Sequence, residues 1–266
     1  MSYVLPAVMV RTLRSALGVP TGPTAFIIID SVYYIFAVVA AIIVSRRVGF
    51  SWQTVVGKKP RFKDIASGLI LLIPLFLVQL GAFWPWNLIL SYLDPGEFAA
   101  KFAGKRRAVV VWSEQSDFWI VNAVRFASIS IISPAVEEML FRGIVLRTIA
   151  IRWSLNIGIF ISSIAFGILH YSGGNPIGAT AFGIAMAILY LRSGSLLVPC
   201  CTHMLNNASV FVSLYLAGPR GPGTTWTVPI LWQTLIFGMI LLWVGGIWLA
   251  YYCLDNWPAR KRRAQG

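Results

Sequence analysis

The chain has 266 residues, of which 58% are hydrophobic and only 12% carry a charge. Soluble domains contain about 25% charged residues, so the composition excludes an ordinary soluble protein and predicts an integral membrane protein. The net charge of +13 does not indicate a nucleic-acid-binding protein, because the basic residues cluster at the ends of apolar segments, where membrane topology requires them.

Long uncharged segments predict an all-α, polytopic membrane helix bundle. About 20 residues are needed to span a bilayer, and several uncharged stretches of the chain exceed this length. Turn-forming residues divide the longest of them, which gives about seven transmembrane helices in all. We expect these spans at about residues 24–44, 66–89, 124–147, 155–171, 176–191, 196–216 and 228–252.

Basic residues predict the orientation of the bundle. Residues 46–63, between the first two spans, contain six lysines and arginines, and residues 260–263 of the tail contain four more. Because basic loops remain in the cytoplasm, we expect this loop and the C-terminus to be cytoplasmic. Arg11 and Arg14 follow an apolar segment instead of preceding one, so we expect no cleaved signal peptide.

Residues 134–147 place charged side chains inside an otherwise apolar span. A carboxylate at the bilayer centre costs about 2.5–3.5 kcal/mol, so Glu137 and Glu138 must face protein or water rather than lipid. The i to i+4 spacing brings Glu138 and Arg142 onto one helix face, while Glu137 lies about 100° further round. We therefore predict an ion pair between Glu138 and Arg142 and a chemical role for Glu137. A buried ion network that only fixes helix packing is the alternative.

The two histidines of the chain, His170 and His203, also lie in predicted spans. With a rise of about 1.5 Å per residue, Glu137, His170, His203 and Asn207 fall within a band about 12 Å deep. A lone histidine in a helix more often has a packing role, but two histidines beside paired glutamates favour chemistry. Three helices thus bring a carboxylate, two imidazoles and a carboxamide to one level, which predicts a catalytic centre.

These groups suit the cleavage of a bond by water, because no serine or cysteine nucleophile is paired with a histidine by spacing. Glu137 could deprotonate a water that His170 positions, while His203 and Asn207, one helical turn apart, could donate hydrogen bonds to an oxyanion. Alternatively, Glu137, His170 and His203 could bind a zinc ion whose fourth position holds water. The residues leave both ways of activating water open.

Three motifs resemble those of the CAAX protease and bacteriocin-processing family of intramembrane proteases. They are EEMLFR at 137–142, FGILH at 166–170 and HMLNN at 203–207. The family pattern has paired glutamates with an arginine four residues after the second, a phenylalanine four before a histidine, and a histidine four before an asparagine. Their order and separation also match, and the resemblance covers about residues 118–217.

The resemblance implies an all-helical membrane endopeptidase. In it, Glu137 and His170 activate water, and His203 with Asn207 stabilise the oxyanion. The family is also described as metal-dependent, and if a metal is bound we expect zinc, held by Glu137, His170 and His203. We divide the chain accordingly into an N-terminal membrane region, a catalytic membrane core, and a last span with a basic cytoplasmic tail, at residues 1–117, 118–217 and 218–266. We expect the site to comprise Glu137, Glu138, Arg142, His170, His203 and Asn207.

The leading hypothesis is an intramembrane endopeptidase that hydrolyses peptide bonds of membrane-associated or lipidated substrates. Its partners would be membrane lipids and a membrane-embedded or lipidated peptide or protein, with no nucleic acid, and its location the plasma (inner) membrane of a bacterium. Family members include enzymes that trim prenylated C-terminal tripeptides and bacterial proteins linked to bacteriocin maturation or self-immunity. The alternative is a non-proteolytic membrane scaffold or self-immunity protein of the same fold. A transporter or proton-coupled channel is disfavoured, because repeated halves are not visible.

Overall fold

The computed structural model describes residues 34–35, 38–39, 42–44, 46–102, 118–171, 175–217 and 227–258. In these ranges the regular secondary structure is helical, and the β-type contact is an isolated bridge between Gly57 and Ser195. The all-α membrane bundle predicted from the sequence is confirmed.

The described residues form a series of helices. In chain order they are α1 (Trp52–Val56), α2 (Phe62–Gly81), α3 (Phe83–Leu93), α4 (Pro95–Phe102), a long composite helix α5, then α6 (Leu155–Leu169), α7 (Pro176–Ser193), α8 (Leu197–Leu216) and α9 (Val228–Asp255). Helix α5 consists of five consecutive segments. Three are α-helical, at Phe118–Ala127, Ser133–Glu138 and Leu146–Arg152, and two are π-helical, at Ser128–Ile132 and Met139–Val145.

The π-helical segments of α5 flank the paired glutamates. Pro134 has no N–H to donate, and a proline ring clashes with the carbonyl four residues earlier in a regular α-helix. Pro134 lies two residues after the end of the first π-helical segment, and the carbonyl four residues earlier, that of Ser130, belongs to this segment. Such π-bulges are rare and frequently occur at functional sites. The sequence analysis did not predict this change in helix type.

Within the described residues, four helical stretches are long and apolar enough to span a membrane. They are Phe62–Leu93, Trp119–Arg152, Pro176–Ser193 and Val228–Asp255. Helix α6 is apolar but has only 15 residues, and α8 has 20 residues but carries His203, Asn206 and Asn207. The predicted number of seven spans is not confirmed. Most of the first predicted span lies outside the described residues, although the parts of it that are described are helical.

The predicted helix boundaries need two corrections. The second predicted span is two helices, α2 and α3, which meet at Ala82. Helix α5 extends well beyond the predicted 124–147 at both ends, because the flanking residues continue its apolar face.

Helix α7 lies at the centre of the bundle. Its side chains Ala185, Met186 and Ile188 are fully buried, whereas Ile236 and Trp243 on α9 are 74% and 72% exposed, as expected for a face in contact with lipid. Gly183 allows α7 to approach α6 closely, since a Cβ at this position would lie 3.0 Å from the Cα of Ser163. Small residues permit this kind of contact between membrane helices.

Candidate active site

Three charged residues near the middle of α5 are buried in the protein. Glu137, Glu138 and Arg142 expose only 7%, 0% and 1% of their surface. Arg142 Nε lies 3.1 Å from Glu138 Oε2, so the ion pair predicted from the i to i+4 spacing is present. The two groups do not meet the angular requirement of a hydrogen bond. Coulomb attraction between the two charges, rather than a hydrogen bond, therefore holds this pair together.

Arg142 also links α5 to its neighbours. Its Nη2 donates a hydrogen bond to the backbone carbonyl of Gly183 on α7 at 3.1 Å. The guanidinium carbon lies 5.0 Å from the centre of the Phe166 ring on α6, within the range of a cation–π interaction. The arginine therefore neutralises a buried carboxylate and fixes the packing of three helices at the same point.

Glu138 has a second partner that the sequence did not predict. Nδ1 of His203, on α8, lies 2.9 Å from Glu138 Oε1. An ionised carboxylate can only accept, so the imidazole donates from Nδ1. The remaining nitrogen, Nε2, then faces Glu137 Oε2 at 3.9 Å. Glu137, Glu138, Arg142 and His203 thus form one buried cluster built from α5 and α8.

Ser133 fixes the catalytic candidate Glu137. The Ser133 hydroxyl donates to Glu137 Oε1 at 2.7 Å, which leaves Oε2 directed at His203. Sequence reasoning missed Ser133, although its position four residues before Glu137 on the same helix is a signal that could have identified it.

His170 lies beside this cluster at the end of α6. Its Nδ1 is 2.7 Å from the carbonyl oxygen of Phe166. The Phe166 ring contacts both histidines, since its centre lies 4.4 Å from the centre of the His170 ring and 5.9 Å from that of the His203 ring. Among the residues the structure describes, His170 makes no direct hydrogen bond or ion pair with Glu137 or His203.

Asn207 is positioned by its own neighbours. Its Nδ2 donates to the carbonyl of Ile129, in the first π-helical segment, at 3.0 Å. Its Oδ1 accepts from Nδ2 of Asn206 at 3.3 Å. Asn207 lies one turn after His203 on α8, as predicted, but the structure records no hydrogen bond between them.

The zinc alternative depends on how close Glu137, His170 and His203 lie to one another. Glu137 Oε2 and His203 Nε2, 3.9 Å apart, are close enough to share an ion. However, no group of three His, Cys, Asp or Glu side chains is gathered for a metal within the described ranges. Glu137, His170 and His203 therefore do not form a three-ligand set in this arrangement, and metal binding stays a prediction.

A groove elsewhere in the protein does not involve these residues. It has a volume of about 370 Å³ and lies between α2 and α9, with Phe62, Ser67, Trp248 and Tyr252 among its lining residues. None of the six predicted site residues contributes to it.

Comparison with known proteins bears directly on this cluster. Residues 119–209 match the family model of Rce1-like, type II CAAX prenyl endopeptidases. A segment of 83 residues is 32% identical to the Bacillus subtilis (strain 168) protein named "Putative membrane peptidase YdiL". The resemblance to the CAAX protease and bacteriocin-processing family is confirmed. No solved structure matches the chain significantly.

The CAAX-protease-like segment contains all six predicted site residues and ends shortly after Asn207. The match to the Bacillus protein covers 31% of this chain and 34% of that protein, so the chain spans about a third of the length of the relative it matches. The division of the chain at 117 and 217 stays a prediction.

Proposed function

We propose that the protein is an intramembrane endopeptidase that cleaves peptide bonds with a water activated by Glu137. The proposal is supported by the match to CAAX prenyl endopeptidases over the segment that carries the cluster. It extends to substrates that are membrane-embedded or lipidated, because Glu137, Glu138 and Arg142 lie in a helical stretch long and apolar enough to span a membrane.

One observation carries the proposal, namely the arrangement of Glu137 Oε2 opposite His203 Nε2. Their separation of 3.9 Å is too long for a direct hydrogen bond. A water or substrate oxygen could contact both groups at about 2.8 Å each. Ser133 holds the other oxygen of Glu137 and Glu138 holds the other nitrogen of His203, so both groups are preoriented toward the same point.

Glu137 acts first as the base and then as the acid in this hydrolysis. Glu137 takes a proton from water as the water oxygen attacks the carbonyl carbon of the peptide. The carbonyl becomes an oxyanion, which His203 and Asn207 stabilise by donating hydrogen bonds. When the C–N bond breaks, Glu137 returns its proton to the amine that leaves, and the acid product carries the oxygen of water.

His203 must be doubly protonated to act as such a donor. Its Nδ1–H is directed at Glu138, so Nε2 can donate only in the imidazolium form. In that form Nδ1 faces the Glu138 carboxylate at 2.9 Å and Nε2 faces the Glu137 carboxylate at 3.9 Å.

His170 supplies an acceptor. The Phe166 carbonyl can only accept a hydrogen bond, so Nδ1 of His170 carries the hydrogen. In the neutral ring, Nε2 then has a free lone pair that can orient one hydrogen of the attacking water. In this role the water contacts Nε2 of His170, while Nδ1 stays bound to the Phe166 carbonyl.

Cleavage of defined substrates by the purified protein tests the proposal. The full chain in detergent or lipid is incubated with lipidated and unlipidated membrane peptides, and products are identified by mass spectrometry. Glu137→Gln keeps the shape of the side chain but removes the base, so it should abolish cleavage. Asp255→Asn, at an exposed carboxylate at the end of α9, is the control and should cleave normally. Full turnover by Glu137→Gln would refute the assignment, and an inactive wild type would favour a non-proteolytic role.

A further inference from the structure

A chain of side-chain amides connects α2 to the proposed oxyanion site. Gln79 Nε2 donates to Asn206 Oδ1 at 3.1 Å. Asn206 Nδ2 in turn donates to Asn207 Oδ1 at 3.3 Å, and Asn207 Nδ2 donates to the Ile129 carbonyl at 3.0 Å. Three hydrogen bonds thus run in one direction, from a residue outside the CAAX-protease-like segment to a residue within the proposed site.

The direction of these bonds fixes which end of the Asn207 amide is the donor. If Asn207 were turned by 180°, its amide nitrogen would face the nitrogen of Asn206 and its oxygen would face the Ile129 carbonyl. Both contacts would be repulsive. In the observed orientation one hydrogen of Asn207 Nδ2 binds Ile129, and the second hydrogen has no partner among the described residues.

Gln79 is itself held firmly. Its backbone carbonyl accepts a hydrogen bond from Asn175 Nδ2 at 2.9 Å, and Asn175 caps α7 by accepting from the N–H of Gly178 at 3.0 Å. Gly178 is buried against this point of α2, since a Cβ there would lie 3.1 Å from the Cα of Gln79. The side chain of Gln79 therefore starts from a fixed backbone position.

We infer that Gln79 is a positioning residue that, through Asn206, orients the Asn207 amide to donate to the oxyanion. This role rests on the proposed endopeptidase function. It assigns a part in the reaction to α2, which lies outside the segment that resembles known peptidases. Gln79 and Asn206 are 127 residues apart in the chain, so neither motif nor spacing connects them.

Two substitutions of Gln79 separate this role from simple packing. Gln79→Glu has nearly the same shape, but a carboxylate accepts where the amide donated. The new carboxylate would accept a hydrogen bond from Asn206 Nδ2, which would turn Asn206 Oδ1 toward Asn207. Donor and acceptor would then be exchanged in each hydrogen bond of the series. We expect kcat to fall about 10²-fold with KM unchanged, as for the loss of one oxyanion donor. Gln79→Met removes the donor without reversing the chain and should lower kcat about three- to tenfold. Packing alone predicts that the isosteric Glu is the milder change.

A double-mutant cycle provides the second readout. If Gln79 acts through Asn207, then Gln79→Met should change kcat less than about twofold in an Asn207→Ala background, whereas independent roles would multiply. The control is Leu80→Met, at the neighbouring residue that is 54% exposed on the outer face of α2. It should leave kcat and thermal stability unchanged. If Gln79→Glu fails to fold, the Gln79→Met cycle alone decides.

The outcomes distinguish the two proposals. A wild type that cleaves peptides and depends on Glu137, combined with full kcat in both Gln79 variants or multiplicative effects in the cycle, would overturn the positioning role and leave the endopeptidase intact. An inactive wild type, or an active Glu137→Gln, would overturn the endopeptidase and with it this role of Gln79. We expect Gln79→Glu to lower kcat more than Gln79→Met does. We expect these losses to be absent when Asn207 is replaced by alanine.

Discussion

Glu138 accepts a hydrogen bond from Nδ1 of His203 at 2.9 Å, joining two residues that are 65 positions apart in the chain. The same carboxylate is the counter-ion of Arg142 at 3.1 Å. Glu138 therefore connects the ion pair that stabilises α5 with the imidazole that faces Glu137. The two roles can be separated experimentally, because one depends on charge balance and the other on the protonation of His203.

Glu138→Gln should destabilise the protein by leaving Arg142 buried without a counter-ion. Breaking one side of a buried pair costs about 3–5 kcal/mol. The measurement is the thermal unfolding of purified variants in detergent. Glu138→Gln combined with Arg142→Met removes both charges and should recover much of this loss. Its kcat should stay low, because a carboxamide oxygen is a weaker acceptor than a carboxylate for the Nδ1–H of His203. Recovery of stability and kcat together would contradict the second role of Glu138.

The sequence contained the local part of this arrangement but not the part between helices. The Glu138 and Arg142 pair could be predicted because both residues belong to one helix with a known periodicity. The hydrogen bond from His203 could not, because it depends on the rotation of α8 against α5, which depth alone does not determine. The same applies to the contact between Gln79 and Asn206, and to the contacts of the Phe166 ring with both histidines.

The helix boundaries show a similar limit. Apolar runs predicted that residues 124–147 are helical, but not that two segments of α5 are π-helical. These segments depend on Pro134 and on packing between helices, which the periodicity of apolar residues does not reveal. The count of seven spans assumed that each apolar run crosses the membrane, whereas α6 has 15 residues and α8 carries a polar site.

Ser133→Ala should lower kcat about three- to tenfold by removing the hydrogen bond that holds Glu137 Oε1. Steady-state kinetics on a cleaved peptide provide the measurement. Ser133→Thr keeps the hydroxyl and should retain most of the activity, and Ser209→Ala, at an exposed serine that binds its own helix backbone, should be neutral. Equal losses in Ser133→Ala and Ser133→Thr would show that size rather than the hydroxyl matters at this position.

Gly183→Ala and Gly246→Ala should change stability in opposite directions. A Cβ at Gly183 would lie 3.0 Å from the Cα of Ser163 on α6, and this backbone cannot yield easily. We expect a loss of about 1–3 kcal/mol in the free energy of unfolding. A Cβ at Gly246 meets nothing within 4 Å, so alanine there should stabilise α9 by about 0.5–1 kcal/mol. Chemical or thermal unfolding of both variants in one detergent makes the comparison, and a stabilised Gly183→Ala would disprove the close contact of α6 and α7.

His203→Ala separates the two ways of activating water. If His203 stabilises the oxyanion, its loss should cost about 2.7–4 kcal/mol of transition-state stabilisation and leave a residual activity. Chelators should then change neither the wild type nor the variant. If His203 instead binds zinc, the variant should lose metal and activity together, and zinc should restore chelated wild type.

The first outcome is the one we expect, because donors for a third metal ligand are not gathered among the described residues. Glu138 could equally orient a metal-bound histidine, so activity alone does not decide. Metal analysis of protein purified without chelator does. One zinc per chain, present in the wild type and in Asp255→Asn but lost in His203→Ala, would overturn the carboxylate mechanism and require the site to rearrange around the ion.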